Sequence, residues 1–540
     1  MYYFREILVI TSFICPVQVA GLSFLFQSGL GDGSHFTTSA TVAEALVRKG
    51  HDVTYLISNA CEFRTRSPRW GPLFKYEIFK HSYPPEQALD TMKSYVQCSV
   101  DEGIMAGVLK HASGMITVGA IDCDDLFSDT ELIQRLKDAK FDAFVADVVW
   151  PCGSLVGERL NVTQVLVIPS GYIAMLAAIY GSPVNPAYNI ALVDNIPSLP
   201  MTFLQRVKNF IMHHVQLIAF VKVYDSAYQE VMKKHNISPE KTVNQISSEA
   251  DLFLFNMDFS AENALPLTPN IVTVGGLTTK PAKALPAELE EFVAGSGEQG
   301  VAVFSLGTYV NRTNERVARN IFNGLAGLPC RVVWKFDNQD NIPVPPNVKI
   351  MDWLPLNDLL GHNKTKVFIY QGGNNGFYEA LYHGVPMVVL PVLGDQGQVA
   401  ARVVHQGIGK TLDLREMSSD ELRDAVLEVL TNDRFQKNID RLSAIYRDKP
   451  MHPLDKAAYW IEHVAKFGGK SYRPPSLDVG CLQSSLLDVY SFLAVIILFV
   501  LIILYKFFMF LIKCLCNRSK THKRGKWNKM QSLFNCFWAS

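Results

Sequence analysis

"VFIYQGGNNGFYEALYHGVPMVVLP" runs from Val367 to Pro391. It opens with an apolar strand and turns on Gly372 and Gly373. Two amides, Asn374 and Asn375, then lead into a short amphipathic helix and a second apolar strand. Strand, glycine turn, helix and strand in that order describe one unit of a parallel sheet covered by helices. Glycines let backbone approach a ligand closely, and a helix N-terminus offers free N–H groups with partial positive charge. The turn is therefore suited to an anion. Glu379 lies one helical turn beyond Asn375 on the same face, placed to accept hydrogen bonds from a diol. "GDQGQ" follows the next strand and brings Asp395 and Gln396 to the same sheet edge, where open α/β sheets bind ligands.

The same alternation recurs on both sides of this stretch. "GLSFLFQSGLG", "TSATVAEALVRKG" and "DVTYLIS" read as strand, helix and strand, with "FDAFVAD" a later strand of that sheet. A second series begins near residue 300 with "GVAVFSLG", "NERVARNIFNGLAG" and "RVVWKF". The Pro-rich "LTTKPAKALPAELEE" before it reads as a linker. At 540 residues the chain is long enough for two such domains. The expected boundaries are 21–280 and 281–450, followed by return helices and a juxtamembrane segment over 451–485. "MSSDELRDAVLEVLTN" opens with a capping box, Ser418 to Glu421.

Apolar residues make up 48% and charged residues 19%, with 51 basic and 51 acidic side chains. Without a basic field, nucleic acid is excluded as an expected partner. Residues 1–20 have an early Arg5, an apolar stretch and small residues near Ala20, the pattern of a cleavable signal peptide. Residues 486–512 are apolar apart from Lys506, long enough to cross a bilayer, and precede a basic tail over 513–540. Positive charge stays cytoplasmic. A single-pass type I membrane protein is expected, its body lumenal or extracellular. Sequons at Asn161, Asn236, Asn311 and Asn363 fit that compartment. The ten cysteines show no zinc-like spacing and give no connectivity.

Two motifs mislead. "GSGEQG" at 295–300 has a helix before it and a strand after it, the reverse of a dinucleotide fingerprint, and reads as a turn. "DCD" at 122–124 matches the DxD of manganese-dependent sugar transferases, but its surroundings read as a solvated helix start, where acids are favoured.

The stretch "WLPLNDLLGHNKTKVFIYQGGNNGFYEALYHGVPMVVLPVLGDQ" resembles the signature of the UDP-glycosyltransferase family, the animal UDP-glucuronosyltransferases and their glucosyl-transferring relatives. "VAVFSLGTYV", "FDAFVADVVWPCG", "MHPLDKAAYWIEHVAKFGG" and the closing apolar segment resemble it too. The resemblance implies two Rossmann-like domains facing across a cleft, the GT-B arrangement, plus the membrane helix. It implies a UDP-sugar donor, a small lipophilic alcohol or phenol as acceptor, a role in detoxification, and residence in the endoplasmic reticulum membrane. It leaves homo-oligomerisation open.

Carried onto this chain, the family's donor site has Trp353 stacking on uracil. Ser305, Thr308, Gln371, Gly372, Gly373 and Asn375 lie by the diphosphate, Glu379 on ribose, and Asp395 and Gln396 on the transferred sugar. His35, in "GDGSHF" past the first strand, matches the catalytic histidine, and Asp147 its partner aspartate. A histidine titrating near pH ~6.5 suits a general base at neutral pH. An aspartate on its other nitrogen fixes the tautomer and stabilises the imidazolium. Attack from the opposite face inverts the donor linkage. Main-chain N–H groups can meet the leaving-group charge, so neither metal nor cofactor is expected. Asp142, His362, His383 and His405 read as structural.

Two positions depart from the family pattern. Gln371 stands where the family usually has histidine, although some members, baculoviral ecdysteroid glucosyltransferases among them, also carry glutamine. Leu356 replaces a glutamine in "WxPQ". Both bear on donor affinity and sugar choice. They motivate a competing reading, a membrane-anchored UDP-sugar or lipophile binding protein of the same fold. Retention of His35, Asp147, Glu379, Asp395 and Gln396 favours the enzyme.

Overall fold

The computed structural model describes residues 21–28, 33–192, 200–310, 312–337 and 342–537, with backbone alone for most residues beyond 513. The expected signal peptide and the Asn311 sequon lie outside the described residues. The chain divides into two compact units, residues 1–474 and 475–540.

The first unit contains two wholly parallel sheets. Strands β1 (Ser23–Gln27), β2 (Asp52–Ser58), β3 (Lys75–Phe79), β4 (Ala143–Asp147), β5 (Thr163–Ile168), β6 (Leu252–Phe255) and β7 (Ile271–Thr273) form one, in the order 3-2-1-4-5-6-7. Strands β8 (Val301–Ser305), β9 (Arg331–Lys335), β10 (Val348–Met351), β11 (Thr365–Tyr370), β12 (Met387–Val389) and β13 (Gly409–Thr411) form the other, in the order 10-9-8-11-12-13. Each order reverses at its first strand, making a switch point where the loops after β1 and β4, or β8 and β11, diverge to leave a crevice. β4 and β8 are buried at every position, as a parallel strand covered by helices on both faces must be.

Helix Ser34–Arg48 buries Val42, Ala45 and Leu46 against the first sheet. Helix Pro453–Phe467 returns to the same face, packing Leu454, Ala458 and Ile461 into a cluster with Phe24, Val53 and Val145. Helix Pro85–Glu102 does the converse: Val96 and Val100 join the core of the second sheet, with Phe304 and Trp334. The capping box Ser418 to Glu421 is present, and "GSGEQG" is the turn between helix Ala287–Ala294 and β8.

The solvated helix start expected at Asp122–Asp124 is corrected. These residues lie in the last turns of helix Ile104–Ser128. Asp122 is buried, with the Tyr83 hydroxyl donating to it and His81 Nδ1 at 2.7 Å. Asp124 pairs with Lys234 and His235. Cys123 is bonded to Cys152, while Cys61, Cys98 and Cys330 are free thiols. The two acids that flank the disulfide cysteine Cys123 have partners here that composition alone does not reveal.

In the second unit, helix Leu487–Phe537 includes an apolar span, Leu487–Lys513. It begins just after Leu486, which takes a left-handed φ of 52°. The helix continues through the basic segment.

Candidate active site

His35 sits in the first turn of helix Ser34–Arg48, just beyond the C-terminal end of β1. Asp147 closes β4, the strand paired with β1. The register of the sheet therefore brings the two together, and His35 Nδ1 lies 2.6 Å from Asp147 Oδ2. The other carboxylate oxygen accepts from the Val149 N–H at 3.0 Å, fixing the aspartate. Burial lowers the basicity of His35, but the Asp147 carboxylate and the more distant Asp395 outweigh it, and its pKa lies above the usual imidazole value. One third of the His35 side chain remains exposed, at 33%, against 1% for Asp147. An imidazole oriented from behind with one edge open can take a proton from a substrate hydroxyl.

Asp395 belongs to the other sheet, in the loop after β12. Its Oδ2 is buried without a hydrogen-bond partner among the described residues. Burial drives its pKa up to about 6, against the pull of its own backbone N–H, His35 and Arg402. A buried carboxylate oxygen without a partner is an acceptor for hydroxyl groups. Gln396 beside it uses its side-chain oxygen on the Val392 and Leu393 N–H groups, at 2.9 and 3.0 Å, and so shapes the loop.

The glycine turn follows β11. Gly372 has φ of 90°, and a Cβ there would lie 2.9 Å from Val389 Cγ1 and 3.0 Å from Gln396 O, so no other residue fits. Gly307, with φ of 86°, shapes the facing loop after β8, where the Gln371 amide lies against it. Ser305 Oγ accepts from the Gly307 N–H at 3.2 Å. Thr308 is next in that loop, and its carbonyl is one of two held by the Lys335 ammonium. Glu379 accepts from the Thr278 hydroxyl at 2.8 Å, and burial raises its pKa to about 7. Trp353 is 65% exposed, a flat aromatic face at the edge of the same region.

Further side chains close on this region. Lys335 closes β9 and is buried, its ammonium donating to Gly307 O at 2.8 Å and Thr308 O at 3.3 Å. It also lies 5.8 Å from the centre of the Trp353 ring. Burial lowers its pKa to about 8. A lone lysine ending an apolar strand at the ligand edge of a parallel sheet was the available signal. Tyr309 accepts from the Gly33 N–H at 3.1 Å, so the loops after β8 and β1 touch. Asn375 Nδ2 reaches Thr38 Oγ1 at 3.0 Å on the His35 helix, and its Oδ1 accepts from Asn256 at 3.1 Å. Asn374 Nδ2 donates to Asn256 O and Pro169 O, at 2.8 and 3.0 Å. The helix that starts at the glycine turn is thus pinned to the sheet that carries His35.

The remaining candidates are peripheral. Asn161, Asn236 and Asn363 are exposed. Asp142 accepts from the Ser23 N–H, and His383 pairs with Asn357, which are structural uses. Leu356 starts helix Leu356–Leu360 and packs against the second core.

Comparison with known proteins agrees with this architecture. The family model described as UDP-glucoronosyl and UDP-glucosyl transferase matches residues 30–522. UDP-glucuronosyltransferase 2B33 of Macaca mulatta is 34% identical over 539 residues, covering 96% of this chain and 99% of its own. UDP-glucuronosyltransferase 2B7 of Homo sapiens is 33% identical over 543 residues, covering 96% and 99%. Among solved structures, the kitacinnamycin glycotransferase superposes with a TM-score of 0.57 at 17% identity, over 82% of this chain and 98% of its own. Os79 of O. sativa, solved with U2F and trichothecene, gives 0.56 at 15% identity, over 82% and 99%. These likenesses establish the GT-B fold of two facing parallel sheets. Taken with the full-length family match, they place the chain in the family of UDP-glucuronosyl and UDP-glucosyl transferases, and it is a glycosyltransferase.

Proposed function

We propose that the chain transfers a hexose, glucuronic acid or glucose, from its UDP derivative to a hydroxyl of a small lipophilic acceptor, with inversion and without a metal or cofactor. The acceptor hydroxyl gives its proton to the open nitrogen of His35 as it attacks the anomeric carbon. Asp147 holds the imidazole and stabilises its cation. Asp395, with Gln396 shaping its loop, holds sugar hydroxyls. The N–H groups at Gly372 and Gly373 and the helix behind them receive the charge that develops on the departing diphosphate, beside Ser305, Thr308, Gln371 and Asn375. Lys335 adds a cation behind that loop. Trp353 takes the uracil face and Glu379 the ribose diol. The observation that carries this reading is the 2.6 Å His35–Asp147 pair with one imidazole edge open, set electrostatically against the buried Asp395.

We also propose a type I topology in the endoplasmic reticulum membrane with residues 21–485 lumenal. The Cys123–Cys152 disulfide suits an oxidising compartment. Exposed sequons at Asn161, Asn236 and Asn363 suit it as well.

The test is transfer from radiolabelled UDP-glucose, UDP-glucuronate and UDP-galactose to a panel of phenols and steroids in microsomes, with and without chelator. Turnover is expected with one of the first two donors, insensitive to chelator and lost in His35→Ala. Full turnover in His35→Ala, or none with any pair in the intact chain, overturns the reading.

A further inference from the structure

Helix Gln396–His405 belongs to the second sheet but is held from the first. One face is apolar, and Val399, Ala400 and Val403 are buried in the second core beside Met387 and Val389 of β12. Another face is polar. Gln398, Arg402 and, just past the helix end, Gln406 are spaced four residues apart and so lie in one row. Each reaches a segment between strands of the first sheet. Gln398 donates to Ile190 O and Ala191 O at 3.2 Å each, and Gln406 donates to Ala261 O at 3.4 Å. Between them Arg402 pairs with Glu262 at 3.0 Å. Asp395 stands at the N-terminus of the helix, three residues before Gln398 and seven before Arg402, at the head of the same row.

The central tie is an ion pair taken out of water. The side chains of Arg402 and Glu262 are only 13% and 6% exposed. The Tyr378 hydroxyl donates to the other Glu262 oxygen at 2.7 Å, and the guanidinium lies over the Phe377 ring, 4.9 Å from its centre. Both rings come from helix Asn374–His383, which starts at the glycine turn. A buried ion pair adds little stability over apolar residues of the same volume, so bracing the fold is a poor account of it. One of its nitrogens is also uncommitted. Arg402 Nη1 is buried without a hydrogen-bond partner among the described residues, as are Asp395 Oδ2 and the hydroxyl of Tyr370, which ends β11. The three groups are within electrostatic reach of one another, and His35 and Glu262 are the other charged side chains that act on Asp395.

The geometry points to Arg402 as a positioning residue, through which the first sheet aligns helix Gln396–His405 and sets the Asp395 carboxylate on the transferred sugar. This rests on Asp395 holding sugar hydroxyls, as proposed above. The first sheet also carries His35, so a tie from that sheet to the Asp395 helix fixes the sugar relative to the base. UDP itself is held by other elements, those that carry Trp353, Glu379 and the glycine turn, and its binding does not depend on the tie.

The test uses the full chain, purified in detergent, as Arg402→Gln, Arg402→Lys and the paired variant Arg402→Gln with Glu262→Gln. Melting temperature, calorimetric affinity for UDP, and kcat with UDP-glucose or UDP-glucuronate are measured for each. Arg402→Gln strands a buried carboxylate and should lower the melting temperature, whereas removing both charges should restore it. In the paired variant kcat is expected to stay down by about 10²-fold, the cost of a misplaced contact, while UDP affinity keeps its wild-type value. Arg402→Lys keeps a charge on Glu262 and should recover part of the rate. Wild-type kcat in the paired variant makes the pair a brace of the fold and overturns the inference, with the proposed reaction intact. A loss of UDP affinity as large as the loss of rate overturns it as well. Asp395→Asn is the reference: wild-type kcat there removes Asp395 from the reaction itself, and the inference with it.

Discussion

His35 Nδ1 lies 2.6 Å from Asp147 Oδ2, and the pair spans two adjacent parallel strands of one sheet. Its consequence is a pH profile. Asp147 holds the His35 pKa above the ordinary imidazole value. A base must be unprotonated to act, so kcat/KM is expected to fall as pH drops through that raised value. Asp147→Asn leaves burial as the main influence, which lowers the pKa. The acid limb should therefore move to lower pH while the plateau falls by about 10²-fold or more. Stability runs the other way. A pKa raised on folding stabilises the fold below the unfolded value of ~6.5 and ceases to do so as pH rises through the folded value. Asp147→Asn should therefore lower the melting temperature more at about pH 5.5 than at about pH 8.

Lys335 gives a second titration, on the donor side. Its pKa is lowered by burial to about 8, and its ammonium holds two carbonyls of the Gly307–Thr308 loop. Affinity for UDP, measured calorimetrically, is expected to weaken as pH rises through and above about 8, where the cation is lost. In Lys335→Gln the affinity should be lower throughout and flat across that window. A wild-type affinity that does not change between about pH 7 and pH 10 would remove Lys335 from the donor site.

The contrast between these two residues shows what a sequence can reveal. His35 and Asp147 are legible through the family resemblance, since on its own a histidine in "GDGSHF" reads as a turn or capping residue. The turn at Gly372 was equally legible, because only glycine takes its backbone angles beside Val389. Lys335 falls near the end of "RVVWKF", where a lysine looks solvated; its burial depends on Trp353 and the facing loop, which arrive from elsewhere in the chain. Asp122 was misread for the same reason, since His81 and Tyr83 come from a distant loop. The buried Asn209 of helix Phe203–Lys234 is hidden in the same way, because it finds its partners at Pro186 and Asn189 only after folding.

Asp395 is expected to oppose stability while serving the reaction. Burial raises its pKa to about 6, so the folded chain holds a proton there that the unfolded chain has released. Stability from this group falls as pH rises from about 4 to about 6 and stays lower above. Asp395→Asn should therefore raise the melting temperature at neutral pH and lower kcat for sugar transfer. An unchanged or lower melting temperature would mean that the carboxylate is already paired.

Gln371 rests against Gly307 and Gly373 at the mouth of the glycine turn. An amide donates only as a neutral group, whereas a protonated imidazole donates with charge, a difference of about 1 kcal/mol or about fivefold in affinity. Gln371→His is thus expected to tighten UDP-sugar binding by about fivefold at about pH 6 and by less at about pH 8, where the imidazole is neutral. Equal affinity at both pH values would place residue 371 away from the phosphates.

Asn374 joins the two sheets through one buried amide. Its Nδ2 donates to Asn256 O at 2.8 Å and Pro169 O at 3.0 Å, both in loops of the first sheet. Asn256 in turn donates to Asn375 and to Pro169 O, and its oxygen accepts from the Gly276 N–H. Removing one member strands carbonyls away from water, so Asn374→Ala should destabilise by about 1–3 kcal/mol in denaturant unfolding. Asn374→Asp should cost more, since it removes the donor and sets a carboxylate against two carbonyl oxygens. Asn256→Ala breaks the same network, and the double variant should lose less than the sum of the single losses. If the losses add in full, the two amides act separately and do not form one network.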